Sequence, residues 1–198
     1  MSNLLLRRHH DTGIRNQARG PVNQTIYLAV LAAEGIEDEN VPGDHGGETF
    51  CGIDAASNPN WPGWIQVHAN VAASKDPTAN ASTMAMVQAF YANLWAEWDI
   101  DYLPEILQGP VFGGAVNMGS NRIVTWLQQA VCDLGQTVTI DGCMGPVTLA
   151  AISKIPSPDA LADKLWILRA KFYVAIVNKD PTQAKFLRGW LNRLIAGL

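Results

Sequence analysis

The sequence has little cysteine and no long apolar run. Its three cysteines, in 198 residues, are odd in number and show no CxxC spacing, which argues against a disulfide framework and favours folding in a reducing compartment. The apolar run at residues 4–6 is far too short for a signal-peptide core or a membrane span. We therefore expect a protein that does not insert into membranes and needs an export factor to leave the cell.

Charge is also sparse. Only 16% of the residues are charged, against 48% hydrophobic, and the net charge is −4, which speaks against a general nucleic-acid binder. The charges are unevenly placed, with acids between residues 34 and 48 and cations near the end. The basic set has two interpretations, a solvated helix face or contact with an anionic polymer. It comprises Lys164, Arg169, Lys171, Lys179, Lys185, Arg188 and Arg193.

Helical periodicity dominates the chain. Residues 1–20 are polar and basic and predict a loose arm, and residues 21–198 predict a single, mainly α domain. The first helix is expected to begin after Pro21 and to end at Gly35, with Glu34 in its last turn. The glycine-rich stretch 35–53 predicts a small β-hairpin of two or three strands after that helix, giving an α+β fold.

The acidic, glycine-rich stretch does not fit a metal or phosphate site. Asp44, His45 and Glu48 can each bind a metal, but no HExxH, paired Cys/His or EF-hand spacing is present. Gly46 and Gly47 lack the context of a phosphate-binding loop. The sequence thus predicts neither a metal nor a cofactor.

Acid catalysis on a sugar fits the same residues better. A glutamate closing an apolar helix is partly desolvated, which raises its pKa, as a general acid for a glycosidic oxygen requires. Glu34 takes that role, Asp44 is a second carboxylate that stabilises positive charge or activates water, and Thr49 orients the water. An acidic turn that merely faces solvent would look similar.

Several motifs, in order, resemble one known family. They are EG at residue 34, DHGGETFCGI at 44, AVNMG at 115, WLQQAV at 126, DGCMGPVTLAAI at 141, RAKFY at 169 and FLRGWLNR at 186. This set resembles the glycoside hydrolase family 108 muramidases, which include phage endolysins and secretion-activating muramidases. The family pattern D-x-G-G-x-T-x-x-G-I is matched at Asp44, Gly46, Gly47, Thr49, Gly52 and Ile53.

The resemblance implies a lysozyme-like α-rich fold, with a peptidoglycan-binding-like half at about residues 111–198. It implies that Glu34 is the catalytic acid and suggests supporting roles for Asp44 and Thr49. The chain departs from the pattern at three positions. Ile36 replaces a glycine, Glu37 replaces an aromatic residue, and Cys51 replaces a tyrosine; Glu37 and Glu39 are spare candidates for the second carboxylate.

Four further residues are candidates for substrate binding. Asn117 matches a family position facing the cleft, although it could instead cap a helix. Trp61 and Trp64 follow the hairpin and could stack on sugar faces, and Gly47 belongs to the matched glycine block. The other five tryptophans, Trp95, Trp98, Trp126, Trp166 and Trp190, are expected in the core.

These expectations describe a monomeric, cofactor-free muramidase. It would hydrolyse the β-1,4 bond between N-acetylmuramic acid and N-acetylglucosamine in peptidoglycan, with glycan strands as its partner and no nucleic acid. An endolysin would fold in the bacterial cytoplasm and reach the wall through a holin or another export factor. The alternatives are a lytic transglycosylase on the same bond and a non-catalytic wall-binding or virion structural protein.

Overall fold

The structure, a computed structural model, describes residues 21–35, 38–39 and 48–198, and of residues 38–39 it describes the backbone only. The predicted arm at residues 1–20 lies outside these ranges. The described chain is mainly helical with one small sheet, which confirms the predicted fold class. Within the described ranges, no helix is long and apolar enough to cross a bilayer.

The first helix, α1 (Gln24–Glu34), has the predicted bounds. Its N-cap is Asn23, whose side chain accepts hydrogen bonds from the amides of Thr25 and Ile26 and so satisfies two otherwise unpaired donors. Gly35 ends the helix with φ at 91°, a conformation that glycine adopts without steric cost. Glu34 is therefore fixed at the last helical position.

The sheet follows as three short antiparallel strands, β1 (Asp38–Glu39), β2 (Thr49–Phe50) and β3 (Ile53–Asp54), in that order. Thr49 lies opposite Glu39 on one side and opposite Asp54 on the other. The turn between β2 and β3 consists of Cys51 and Gly52, both with positive φ. This turn faces α1, as described below.

The remaining helices build the body of the molecule, and three short 3-10 segments connect them. The helices are α2 (Gly63–Ala72), α3 (Ala81–Glu97), α4 (Glu105–Met118), α5 (Ser120–Asp133), α6 (Pro146–Ile152), α7 (Pro158–Lys179) and α8 (Leu187–Ile195). Pro146 occupies the first turn of α6, where its missing N–H leaves no hydrogen bond unmade.

Helix α4 lies at the centre, buried along most of its length. Its small residues let neighbours approach closely: a Cβ on Gly113 would lie 2.8 Å from the Leu198 side chain, and one on Gly114 would lie 2.6 Å from Ile123. One continuous hydrophobic cluster extends from Val22 to Leu198. The first and last parts of the described chain therefore share a core.

Arg169 is a buried cation within this core. It belongs to α7, is fully shielded from solvent, and donates to the carbonyl of Leu198 and the hydroxyl of Tyr173. Burial lowers the pKa of its guanidinium. The predicted solvated or polymer-binding basic face is therefore wrong for Arg169, because its side chain points inward.

Candidate functional site

Glu34 lies in a partly desolvated position at the end of α1. Only 18% of its side chain is exposed, and this burial raises the pKa of the carboxyl above its ordinary value, while the charge of Arg193 opposes the rise. Burial disfavours the ionised form and is the larger of the two effects, so the net shift of the pKa is upward. A carboxyl that keeps its proton toward neutral pH can serve as a general acid.

Arg193 reaches this site from α8, near the other end of the chain. Its Nε lies 3.6 Å from Glu34 Oε1, an ion pair longer than a hydrogen bond. Its Nη2 donates to the carbonyl oxygen of Ala33 at 2.8 Å. The cation thus satisfies a carbonyl in the last turn of α1, where a positive charge also complements the helix dipole.

The β2–β3 turn closes the other side of Glu34. A Cβ on Gly52 would lie 2.8 Å from Glu34 Cβ and 2.7 Å from the Tyr91 hydroxyl, so only glycine permits this approach. The Tyr91 hydroxyl donates to the Cys51 carbonyl at 2.8 Å and is buried. Burial, followed by the charge of Glu34, raises the pKa of Tyr91, which keeps its hydroxyl a neutral donor.

Thr49 is the first residue of β2, is partly buried, and lies two residues before this turn. The strand carrying it is thus brought to Glu34 through Gly52. Asp44 and Gly47, the predicted second carboxylate and substrate-binding glycine, lie outside the described residues, as do Ile36 and Glu37. The backbone of Glu39 pairs with Thr49, which keeps this residue a candidate on the same sheet.

Trp61 and Trp64 lie in the hydrophobic core. Trp61 packs against the rings of Phe50, Phe90 and Trp64, and the indole of Trp64 donates to the Asn58 carbonyl. This burial leaves little ring face for a sugar and disfavours the predicted stacking role. These two tryptophans instead join the start of α2 to Phe50 of β2 and Phe90 of α3.

The five tryptophans expected in the core differ in how far they are buried. Trp95 is fully buried and donates to Asp101 at 2.6 Å. The others, Trp98, Trp126, Trp166 and Trp190, are only half-buried. Sequence spacing does not distinguish a core indole from a half-covered one, because the covering residues come from distant segments.

Asn117 occupies the last turn of α4, inside the helix. Its Oδ1 accepts a hydrogen bond from the Tyr173 hydroxyl at 3.4 Å. The helix-capping alternative is therefore wrong, since the residue does not precede a helix start. Its contact with a sugar stays a prediction.

His68 has a partner that the sequence did not reveal. Its Nε2 lies 2.9 Å from both carboxylate oxygens of Glu48, which joins α2 to the residue before β2. Within the described ranges, no three His, Cys, Asp or Glu side chains are grouped to hold a metal ion.

Sequence reasoning missed Arg193 and Tyr91 as neighbours of the acid. Arg193 belongs to the basic set near the end of the chain, and no motif of the sequence includes Tyr91. The one available signal was the FLRGWLNR block ending at Arg193, which belongs to the motif set but carries no chemistry by itself. The contact depends on α8 folding back onto α1, across more than 150 residues of chain.

Comparisons with known proteins identify two matched segments and a similar solved structure. Residues 27–119 match the family model described as "Glycosyl hydrolase 108", and residues 122–195 match one described as "Predicted Peptidoglycan domain". The solved structure of Brucella abortus SagA is 28% identical with a TM-score of 0.61, over 87% of this chain and 91% of that chain. No curated protein matches the chain.

The first match contains Glu34, the sheet and the central helix α4, and the second contains Arg193. Both matched segments occur in the order that the motifs predicted, and the fold is the lysozyme-like, mainly α one. Residues 27–119 match glycoside hydrolase family 108, and the chain is a lysozyme-like glycoside hydrolase that acts on peptidoglycan.

Proposed function

We propose that the enzyme is an N-acetylmuramidase, which hydrolyses the β-1,4 bond between N-acetylmuramic acid and N-acetylglucosamine. Glu34 is the general acid that protonates the leaving glycosidic oxygen. The observation that carries this assignment is a glutamate fixed at a helix end, largely buried, with its pKa raised by that burial. General acids of this kind contribute on the order of 10²–10⁴-fold to the rate.

The second carboxylate of the proposal is Asp44, with Thr49 beside it. The matched block places Asp44 five residues before Thr49, and Thr49 lies on the strand that leads into the turn against Glu34. Asp44 stabilises the oxocarbenium-like state or activates water, and the Thr49 hydroxyl orients that water.

Mass spectrometry of muropeptides released from purified peptidoglycan tests the reaction. Hydrolysis gives reducing ends, whereas a lytic transglycosylase gives 1,6-anhydro ends because the sugar's own 6-hydroxyl attacks. We expect reducing N-acetylmuramic acid ends. Anhydro ends would replace hydrolysis by transglycosylation, and reducing N-acetylglucosamine ends would show that the other glycosidic bond is cleaved.

The acid is tested in the same assay with Glu34→Gln, which we expect to lose nearly all activity while remaining folded. Glu97→Gln is the matched control, because Glu97 also closes a helix, α3, but is exposed. Activity of Glu34→Gln within a few-fold of wild type would contradict the assignment.

Asp44→Asn should lower turnover more than Thr49→Ala in the same assay. A larger loss in Glu37→Gln or Glu39→Gln than in Asp44→Asn would identify a different second carboxylate.

We also propose endolysin-type delivery, in which the enzyme accumulates in the cytoplasm and reaches the wall only after a holin or another factor opens the inner membrane. Few cysteines, odd in number and without CxxC spacing, fit a reducing compartment. Expression inside bacteria should leave turbidity unchanged until chloroform or a holin is added, with Glu34→Gln as the blank. Lysis without either treatment would contradict this delivery route.

A further inference from the structure

We propose that residues 120–198, which contain α5 to α8, complete the catalytic site. Arg193 is the positioning residue that fixes the carboxyl of Glu34. The inference deepens the proposed function and rests on Glu34 being the acid. It makes the half matched to a peptidoglycan domain a structural part of the active site and not only a unit that binds the wall.

The guanidinium of Arg193 contacts α1 at two adjacent points. One nitrogen donates to the Ala33 carbonyl at 2.8 Å and another lies 3.6 Å from Glu34 Oε1. A planar guanidinium makes both contacts in one fixed geometry, which the point charge of a lysine does not reproduce. Both side chains of the ion pair are 18% exposed, so the pair is shielded from much of the screening by solvent.

Contacts on both sides of Arg193 along the chain hold helix α8 in place. The backbone of Arg193 is therefore fixed relative to α1. Trp190, one turn earlier, stacks on Tyr173 of α7 at 5.1 Å between ring centroids. The amide of Leu198 donates to the Arg193 carbonyl at 3.0 Å, and Leu198 packs on the glycine face of α4. The chain after α7 therefore contacts α1 through Arg193 and then the central helix α4 through Leu198.

Arg193 also limits the rise in the pKa of Glu34. Its charge opposes the burial of Glu34. The other titratable groups around this pair in the described chain are Tyr91, Tyr27 and Cys51 near the acid and Arg169 near Arg193. Tyr91 and Tyr27 have raised pKa values and so stay neutral at working pH, and Arg169 is a like charge to Arg193. Removing the cation therefore leaves burial unopposed and shifts the deprotonation of Glu34 to higher pH.

The test compares Arg193→Gln and Arg193→Lys with Arg188→Gln, a control that removes an exposed cation from the first turn of the same helix. Initial rates on purified peptidoglycan are measured across pH, together with thermal melts. We expect Arg193→Gln to lose about tenfold or more in rate, as misplaced catalytic groups do, and its alkaline limb to move to higher pH. Arg193→Lys should keep the wild-type limb at a reduced rate, and Arg188→Gln should match wild type.

An unchanged rate and an unchanged alkaline limb in folded Arg193→Gln would overturn the inference. If that variant does not fold, Arg193→Lys decides: a wild-type rate would show that the two-point contact is not needed. Glu34→Gln in the same assay separates the two proposals. An active Glu34→Gln removes the proposed acid and the inference with it, whereas an inactive Glu34→Gln beside an unaffected Arg193→Gln removes the inference alone.

Discussion

At the scale of single residues, the environment of Glu34 is a balance between burial and one nearby cation. Water is replaced by the Gly52 turn on one side and by Arg193 on the other. Burial is the larger of the two effects on the pKa of Glu34, so folding favours the neutral carboxyl more than the unfolded chain does. An ionised carboxylate in this position reduces stability, because burial disfavours the charged form.

The pH dependence of stability follows with a definite sign. The folded state holds the Glu34 proton more tightly than the unfolded chain, so stability falls as pH rises from the ordinary glutamate pKa, about 4.3, through the raised value. Glu34→Gln mimics the neutral form and lacks this loss. Its stability relative to wild type should therefore increase between about pH 4 and pH 7, measured by urea denaturation with Glu97→Gln as control. A relative stability that stays constant or falls over that range would contradict the raised pKa.

Gly52→Ala should damage both folding and activity. The new Cβ would lie 2.8 Å from Glu34 Cβ at a residue whose φ is +77°. The left-handed conformation costs about 1–2 kcal/mol, and the forced contact costs about 1–3 kcal/mol more. Gly135→Ala is the matched control, because Gly135 has φ of +87° and open space around its Cβ position. Equal losses of stability in the two variants would show that the contact with Glu34 is not tight.

At the scale of elements, α1 presents the acid at one end and depends on a cap at the other. The helix has 11 residues, a length at which isolated helices are marginal in water. The Asn23 cap stabilises the start of the helix, while Gly52 and Arg193 fix its end. The cap at the start of α1 therefore stabilises the helix without contacting the carboxyl at its end.

Asn23→Ala should lower stability by about 0.5–2 kcal/mol, seen as a few degrees in Tm. Activity per folded molecule should stay close to wild type at temperatures well below the transition, because Glu34 lies three turns away. Asn23→Ser, which keeps a capping oxygen, should remain close to wild type in both measurements. A large loss of activity at full folding would show that the start of α1 also shapes the cleft.

At the scale of the whole molecule, the two matched segments are joined by a shared core. The hydrophobic cluster contains residues of α1, the sheet, α4, α5 and α7 together. Arg169 of α7 also donates at 3.5 Å to the carbonyl of Pro110 in α4. Two separable units would each need a hydrophobic core of their own. Here both matched segments contribute residues to the same core.

Unfolding should therefore be a single cooperative transition. Far-ultraviolet circular dichroism and tryptophan fluorescence should give coincident curves in urea, and the calorimetric and van't Hoff enthalpies should agree. Arg169→Met should shift both probes together. Two separated transitions would contradict the single domain expected for residues 21–198.

Local chemistry in the sequence was enough to predict the mainly helical class, both ends of α1, the small sheet and the position of Glu34 in the last turn of α1. These features depend on neighbours in the chain: an asparagine cap, a glycine with positive φ and apolar residues at helical spacing. The motif set then supplied the family. The order of the motifs can be read from the sequence, whereas the contacts between them cannot.

Tertiary structure alone decided which distant residues meet at the acid. Arg193 reaches Ala33 and Glu34, and Tyr91 bonds to Cys51 in the turn against Glu34, all contacts between residues 40 or more positions apart. It also decided that Trp61 and Trp64 are covered by other aromatic rings. Sequence periodicity identifies the buried face of an element but not the element that covers it, because that depends on how the helices pack together.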